Sequence, residues 1–297
     1  MNSENFITTN DGARLYFETR GSGPMVVIPN GSIYLDDFEV LAEERTLVAY
    51  DPRNRGRSDA TNDGDIGRDV EDLESVRRYF DIGQMDLVGH SYAGLLAALY
   101  GMRYPGCAGR IVQIGPMEPV AGGQYAPELS NNDGLAGQLF ARLGQLYQAR
   151  TTETDEEICR QAWAILGALY VADPKDAGRI HWGRCELANE RGFMMYWTRR
   201  MMPSIQSLRL PDEASKLTAP VLTIHGTKDR NAAYGAGRDW AAMLPDARLV
   251  TVEGAAHAPW IDAPQKVLGA MRTFLAGSWP EGAEKVEAGI RTPINKG

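Results

Sequence analysis

Asp86-Leu87-Val88-Gly89-His90-Ser91-Tyr92-Ala93-Gly94-Leu95-Leu96-Ala97 is the stretch that decides how this chain reads. Leu87 and Val88 suit a short buried strand, Ser91 a sharp turn, and Leu95 to Tyr100 an apolar helix. Gly89 stands two residues before Ser91, and Ala93 and Gly94 stand two and three after it. This is the G-x-S-x-G spacing of a nucleophile elbow, with Ala in the last small position. A serine at a tight strand-to-helix turn is held in a strained backbone, and its neighbours must be nearly free of side chain for the chain to pass. Its hydroxyl then projects from the sheet edge, and the N–H groups of the new helix start point at developing negative charge. The same residues also fit a serine N-cap on an ordinary helix. The rest of the chain has to separate the two readings.

With 297 residues, the chain can form one large domain or a domain with an insertion. Hydrophobic content of 43% and charged content of 24% are ordinary for a soluble globular protein. The net charge of −8 and the lack of a basic run argue against a nucleic-acid partner. Cys107, Cys159 and Cys185 show no CxxC or metal-ligand spacing and read as reduced thiols. The first residues carry no positive segment followed by an apolar one, and no apolar run is long enough to cross a bilayer. The expectation is a cytoplasmic protein without membrane insertion.

Phe6-Ile7-Thr8 and Arg14 to Glu18 flank Asn10-Asp11-Gly12, a hairpin signal. Met25 to Ile28, Thr46 to Tyr50, Arg110 to Gly115, Pro220 to His225 and Arg248 to Val252 read as further strands, and Asp37 to Glu44 as a short helix. Asp65 to Phe80 is an amphipathic helix, with Ile66, Val70, Leu73, Val76 and Phe80 on the apolar face. Asp69, Glu71, Asp72 and Glu74 lie elsewhere on its wheel. The loop Asp51-Pro52-Arg53-Asn54-Arg55-Gly56-Arg57-Ser58 reads as a structural turn knit by Asp51 and Asp59, with positive φ at Asn54 and Gly56; contact of its arginines with an anionic substrate is the alternative. Strand–helix alternation stops near Glu118 and resumes after Leu210, with helices at Leu135 to Arg150, Asp155 to Tyr170 and Cys185 to Met202. This gives a core of residues 1–117 and 211–277, a helical cap at 118–210 and a loose polar tail at 278–297. Helices at Arg238 to Leu244 and Ala263 to Leu275 close the core.

The fold class is therefore α/β, a mostly parallel doubly wound sheet. In such sheets reactive groups gather at the carboxyl ends of the strands. Ser91, Asp229 and His257 each follow a strand's carboxyl end, as do Gly31 and Ser32. A hydroxyl needs a base to take its proton during attack, and an acid to orient that base. His257 suits the base, because His90 flanks the elbow, His225 ends a strand and His181 lies in the cap. Asp229 suits the acid, with Asp239 and Asp262 as rivals nearer the helices; as plain structural residues, Asp229 is a turn aspartate and His257 a loop histidine. The backbone amides of Tyr92 and of Ser32 or Gly31 would form an oxyanion hole; the plainer reading of Asn30-Gly31 is a tight turn.

GHSYAG around Ser91, DPRNRGRS after Asp51, HGTKD ending at Asp229 and EGAAH ending at His257 together resemble the α/β-hydrolase superfamily, from about Phe6 to Leu275. The order Ser, Asp, His is that family's order. The chain departs from it in having Asn30 where His often precedes the oxyanion glycine, and Ala93 and Asn54 where Gly is common. The resemblance implies a serine hydrolase with an acyl-enzyme intermediate, acting on a small or medium carboxylic ester or lactone. An aminopeptidase of the proline-iminopeptidase kind, a C–C bond hydrolase or peroxidase-type enzyme, and a ligand receptor are the alternatives. Glu186 and Glu190, four apart in the cap, would receive an amino group in the peptidase reading or line a solvated face. Trp163, Met194, Tyr196 and Trp197 suit an apolar substrate lining, or packing of the cap on the core. No metal cluster, dinucleotide fingerprint or phosphate loop is evident, so the expectation is a small-molecule substrate and no cofactor.

Overall fold

Short β-favouring runs punctuated by Gly, Pro and Asp build one nine-stranded sheet in this computed structural model, which describes residues 5–61, 64–120, 125–130, 134–148, 152–181, 185 and 194–287. Strands β1 (Phe6–Thr8) and β2 (Arg14–Arg20) form the expected hairpin, with Phe6 opposite Tyr16. Gly12 turns it at a φ of 89°. Then come β3 (Met25–Pro29), β4 (Thr46–Tyr50), β5 (Met85–His90), β6 (Ala108–Ile114), β7 (Val221–Gly226), β8 (Ala247–Val252) and β9 (Ala283–Glu284). Their spatial order is β1-β2-β4-β3-β5-β6-β7-β8-β9. The run from β4 to β8 is parallel, while β2 pairs antiparallel with β4 and β9 with β8. Val27, Val48, Leu87, Val88, Ile111 and Leu222 are fully buried, as continuous apolar strands covered on both faces must be.

Helix α1 (Ile66–Tyr79) is capped by Asp65, whose carboxylate accepts the Arg68 N–H at 3.0 Å. Its apolar residues pack inward as read. Its acids depart from the expected pattern: Asp69, Asp72 and Glu74, set apart from the apolar stripe by the wheel, are all buried. Each has a built partner. Asp72 binds Arg53 at 2.7 Å, Glu74 takes Arg77 and the Tyr100 hydroxyl at 2.8 Å, and Asp69 accepts the Tyr92 hydroxyl at 2.6 Å. α1 is thus enclosed on more of its circumference than a surface helix. Helix α2 (Tyr92–Arg103) follows β5 directly and is apolar nearly all round.

The arginine loop takes the positive φ expected at Asn54 (65°) and Gly56 (54°), and its Arg53 and Arg55 line the cavity described below. Asp51 accepts the Arg57 N–H at 3.0 Å. Its ion pairs run further afield than the local network expected. Arg53 reaches Asp72 and Asp11, Arg57 reaches Glu18, and Asp59 takes Arg14.

Between β6 and β7 the described residues carry no strand. They form α3 (Leu135–Gln148) and α4 (Asp155–Tyr170), then a π-turn at Trp197–Met201 running into a short helix at Met202–Gln206. Met201, Ile205 and Leu210 pack into the same apolar cluster as the sheet's Leu87 and Ile111. Helices α5 (Tyr234–Met243) and α6 (Pro264–Leu275) complete the layers.

Two expectations are corrected here. The stretch after Gly277 is not wholly a loose tail: Ala283 and Glu284 pair with Val250 and Leu249 and cover the edge of β8. A two-residue antiparallel strand is too short to leave a periodic signal. The cysteines are not all reduced thiols: Cys159 and Cys185 form a disulfide, and Cys107 is free. Their separation of 26 residues is unremarkable in sequence, and the fold brings their Cα atoms to 5.5 Å. Disulfides persist in oxidising compartments and are rare in the cytosol, so a cytoplasmic location loses the argument drawn from reduced thiols. Among the described residues no helix is long and apolar enough to cross a membrane.

The disulfide closes a loop at a sequence separation of 26, for which chain entropy gives about 3.5 kcal/mol of stabilisation. Reduction should therefore lower the melting temperature of the wild-type protein and leave a Cys159→Ser variant, already lowered, unmoved. Identical melting of the wild type with and without reductant would contradict this.

Candidate active site

β5 ends at His90, and α2 starts at Tyr92, so one residue makes the whole change of direction. Ser91 makes it at φ 55° and ψ −119°, a conformation that a side-chain-bearing residue adopts only at a cost of roughly 1–3 kcal/mol. Its N–H donates to the Ile114 carbonyl at 2.9 Å, tying the turn to β6. Gly89 must be glycine, because a Cβ there would sit 2.2 Å from the Ala93 carbonyl oxygen. The spacing of small residues read from the sequence is this steric requirement.

Asp229 lies in the turn after β7 and His257 in the loop after β8. Both are fully buried. His257 Nδ1 is 2.7 Å from Asp229 Oδ2. Asp229 Oδ1 accepts the N–H groups of Asn231 and Ala232, each at 2.8 Å. Burial alone would push Asp229 up. Electrostatic attraction to His257 and the hydrogen bonds from His225 and His257 outweigh burial and hold the carboxyl well below the usual carboxylate range. A carboxylate on Nδ1 fixes the proton there and leaves the lone pair on Nε2. Asn231 Nδ2 stands 2.8 Å from that Nε2 and donates to it.

His225 is more than a strand-end residue. Its Nε2 is 3.1 Å from the same Asp229 oxygen and 3.0 Å from the Ala232 carbonyl. His90 is buried beside His257, ring centroids 4.4 Å apart, with Nε2 at 2.9 Å from the His257 carbonyl. Burial, then the neighbouring His257, push its pKa well down, so His90 stays neutral. Gly115, at φ 49°, passes so close that a Cβ would lie 3.0 Å from His257 Nδ1. The rival acids are engaged elsewhere. Asp262 accepts the Ala256 N–H at 2.8 Å, and Asp239 takes the Tyr125 hydroxyl at 2.8 Å.

Ser91 and Tyr92 open onto a cavity of about 470 Å³. Trp163, Met194, Tyr196 and Trp197, all singled out in the sequence, line it. Tyr92 and Trp197 meet edge to face, centroids 5.1 Å apart. On the proposed oxyanion side Asn30 takes φ 58° and lines the cavity, and Gly31 and Ser32 open a 3-10 turn behind it. A Cβ on Gly31 would meet Ile28 at 2.7 Å. Turn and helix starts leave their first N–H groups without partners in the helix itself, which is the condition for the amides of Ser32 and Tyr92 to serve an anion. Glu186 and Glu190 lie outside the described residues. Among the described residues no group of three or more His, Cys, Asp or Glu is placed to hold a metal.

The sequence reading passed over Asp69 and Asn231. Both line the cavity. Asp69 was assigned away from the apolar face of α1, and Asn231 sits in an unpatterned turn, so neither carried a local signal. Burial pushes Asp69 up to about 7, against the opposing hydrogen bond from Tyr92; the nearby Asp72 adds to the rise.

Comparison with known proteins agrees with this architecture. The sequence model described as "Alpha/beta hydrolase family" matches residues 25–270. The chain is 22% identical to a proline iminopeptidase of Heyndrickxia coagulans, over 93% of this chain and 99% of that one. It is 24% identical to a bifunctional esterase/perhydrolase of Acinetobacter calcoaceticus, over 85% of this chain and 92% of the relative. In structure it is similar to an esterase from Exiguobacterium antarcticum, with a TM-score of 0.70, 21% identity, and 92% and 99% of the two chains covered.

The Asp69 carboxyl yields a prediction about stability. In the unfolded chain it ionises near its ordinary value of 3.8, and in the folded protein only near 7. Folding stability therefore falls as pH climbs from about 4 to about 7 and is unaffected by this group on either side. Asp69→Asn should melt higher than the wild type at pH 8, by at most about 4 kcal/mol in stability, and the gain should vanish near pH 4. A gain independent of pH would rule this out.

Proposed function

The chain belongs to the alpha/beta hydrolase family, and on that premise we propose that it is a serine hydrolase of small or medium carboxylic esters or lactones. The observation that carries this is the 2.7 Å His257–Asp229 bond, made by two loops at the strand ends of the same sheet from which Ser91 turns into its cavity. In this reading Ser91 is the nucleophile and His257 the base that takes its proton. Asp229 holds the imidazole tautomer and stabilises the imidazolium.

The Ser91 oxygen attacks the carbonyl carbon, and the tetrahedral oxygen is received by the amides of Tyr92 and of Ser32 or Gly31. His257 gives its proton to the leaving alcohol, and the acyl group stays on Ser91. Water, deprotonated by His257, then attacks the acyl carbon, and as the bond to Ser91 breaks His257 returns the proton to the serine oxygen and the acid leaves. Asn231 occupies the His257 lone pair in the resting structure, so its amide yields to the serine hydroxyl as substrate settles. Hydrogen bonds of this kind commonly tighten only in the complex.

Substrate lies under the segment 118–210, which we take as a cap. Trp163, Met194, Tyr196 and Trp197 give an apolar wall suited to an acyl or alkyl chain. An ester asks only for an apolar chain pocket and an oxyanion site; the cavity wall supports the first, and the turn start at Gly31 and helix start at Tyr92 support the second. The amine-receiving role would need acids such as Glu186 and Glu190.

p-Nitrophenyl esters with two- to twelve-carbon acyl groups, run beside proline and alanine p-nitroanilides, test this. Ester hydrolysis should peak at one chain length, and Ser91→Ala should lose it by roughly a millionfold. Substantial turnover by folded Ser91→Ala, or cleavage of the anilides alone, would overturn the assignment.

A further inference from the structure

We propose that Arg55 is a recognition point for a carboxylate carried by the substrate, so that the preferred ester or lactone bears an acid group away from the bond that is cleaved. This deepens the serine-hydrolase reading and rests on it. The loop from Asp51 to Ser58 carries three arginines at alternate positions, and the fold gives them different surroundings. The Arg53 side chain is 0% exposed between Asp72 and Asp11. Arg57 pairs with Glu18 at 2.7 Å and lies over the Tyr16 ring. Arg55 is half-buried and lines the cavity onto which Ser91 opens. Two of the three arginines thus hold the fold, and the third stands at the site.

The backbone fixes where Arg55 stands. Its neighbours on both sides are left-handed, Asn54 at φ 65° and Gly56 at φ 54°. Its N–H donates to the Pro52 carbonyl at 3.2 Å, and its own carbonyl accepts the Ser58 N–H at 3.1 Å. A residue tied this closely loses little backbone freedom when a ligand arrives. At the far end of the side chain, an Nη1 N–H reaches Asn30 Oδ1 at 3.4 Å. Asn30 also lines the cavity and precedes the Gly31-Ser32 turn of the proposed oxyanion side. Burial pushes the Tyr34 and Tyr170 hydroxyls up, and the Arg55 charge pulls both back down, which puts the cation beside these two phenols of the cavity wall. Tyr170 in turn packs on His257, ring centroids 4.7 Å apart. The guanidinium is therefore registered both to the oxyanion turn and to the base.

The chemistry of the ligand follows from the charge. A guanidinium offers five N–H donors in a planar fork matched to a carboxylate, so its contact with Asn30 and a ligand oxygen can share it. The wall around it carries Trp163, Met194 and Trp197. In such apolar surroundings water is partly excluded, and an ion pair is stronger than at an open surface. Arg53 on the same wall is already matched by two carboxylates, and Asp69 and Glu118 line the cavity as well. A single negative charge therefore suits the site better than a phosphate dianion.

Protection of Ser91 from a fluorophosphonate probe tests this, whether or not the protecting ligands are turned over. Monomethyl and dimethyl esters of the four- to seven-carbon dicarboxylic acids serve as ligands. Within each pair both present a methyl ester to Ser91, and they differ at the far end in a carboxylate against a neutral ester. In the wild type the monomethyl ester of at least one length should protect at about tenfold lower concentration than its dimethyl partner, the scale of one hydrogen bond to a charged group. At that length the ratio should fall to about one in Arg55→Gln and in Arg55→Met, either of which decides the matter if the other fails to fold. It should take an intermediate value in Arg55→Lys, which keeps the charge and loses the fork. The ratio is internal to each variant, so a general change in reactivity does not disturb it. No preference for the monomethyl ester at any length in the wild type, or a preference that persists in the neutral variants, would overturn the recognition point and leave the nucleophile standing. Stronger protection by methyl 6-aminohexanoate than by monomethyl adipate would overturn the sign of the ligand charge. Absence of wild-type labelling at Ser91 would overturn the underlying reading, and the recognition point with it.

Discussion

The reversal at Ser91 is the constraint on which the rest of the site depends. A parallel strand must turn into its crossover helix within a single residue, and the residue chosen carries a side chain at a φ of 55°. Such strain persists only where the surroundings over-determine it. Here the surroundings are the largely buried β5 and β6, the Ile114 carbonyl that receives the Ser91 N–H, and the close passage of Gly89 under Ala93. A central position in the sheet is what makes the strain affordable. It also sets where everything else must be, since only loops at neighbouring carboxyl ends can reach the hydroxyl.

The second organising element is one buried negative charge. Asp229 receives two imidazoles and two backbone N–H groups. A carboxylate this enclosed is tolerable only when its lone pairs are taken. His225 thus has a use apart from His257: it satisfies Asp229 from the strand side and helps fix its orientation. His90 adds a neutral ring against His257. His225 and His257 hold Asp229, while His90 packs against His257 and lines the pocket.

The fold and its reactive corners were legible because their signals are local. Ser91 is flanked by small residues that sterics demand, and Asp229 and His257 each follow an apolar strand within a few positions. What stayed hidden depends on contacts distant in sequence. Asp69 looks like a helix-surface acid until α2 and Tyr92 are packed on it. The Cys159–Cys185 pairing needs the path of the chain between them, which no spacing rule supplies. Asn231 acts through a turn whose residues carry no period. Ala283 and Glu284 sit in polar surroundings where two residues cannot announce a strand. In each case the deciding term is tertiary, and propensity is silent on it.

β8 delivers the chain to His257, and it would be the outermost strand of the sheet without Ala283 and Glu284. An open parallel edge offers a row of free N–H and C=O groups to any other extended chain. Those two residues therefore cover Leu249 and Val250 on that edge, on the flank of the strand that leads to His257. At the opposite flank β1 and β2 do the same for β4 by folding over as a hairpin. Both ends of the parallel array thus meet antiparallel pieces, and the strands behind the site lie inside β1 and β9 in the sheet.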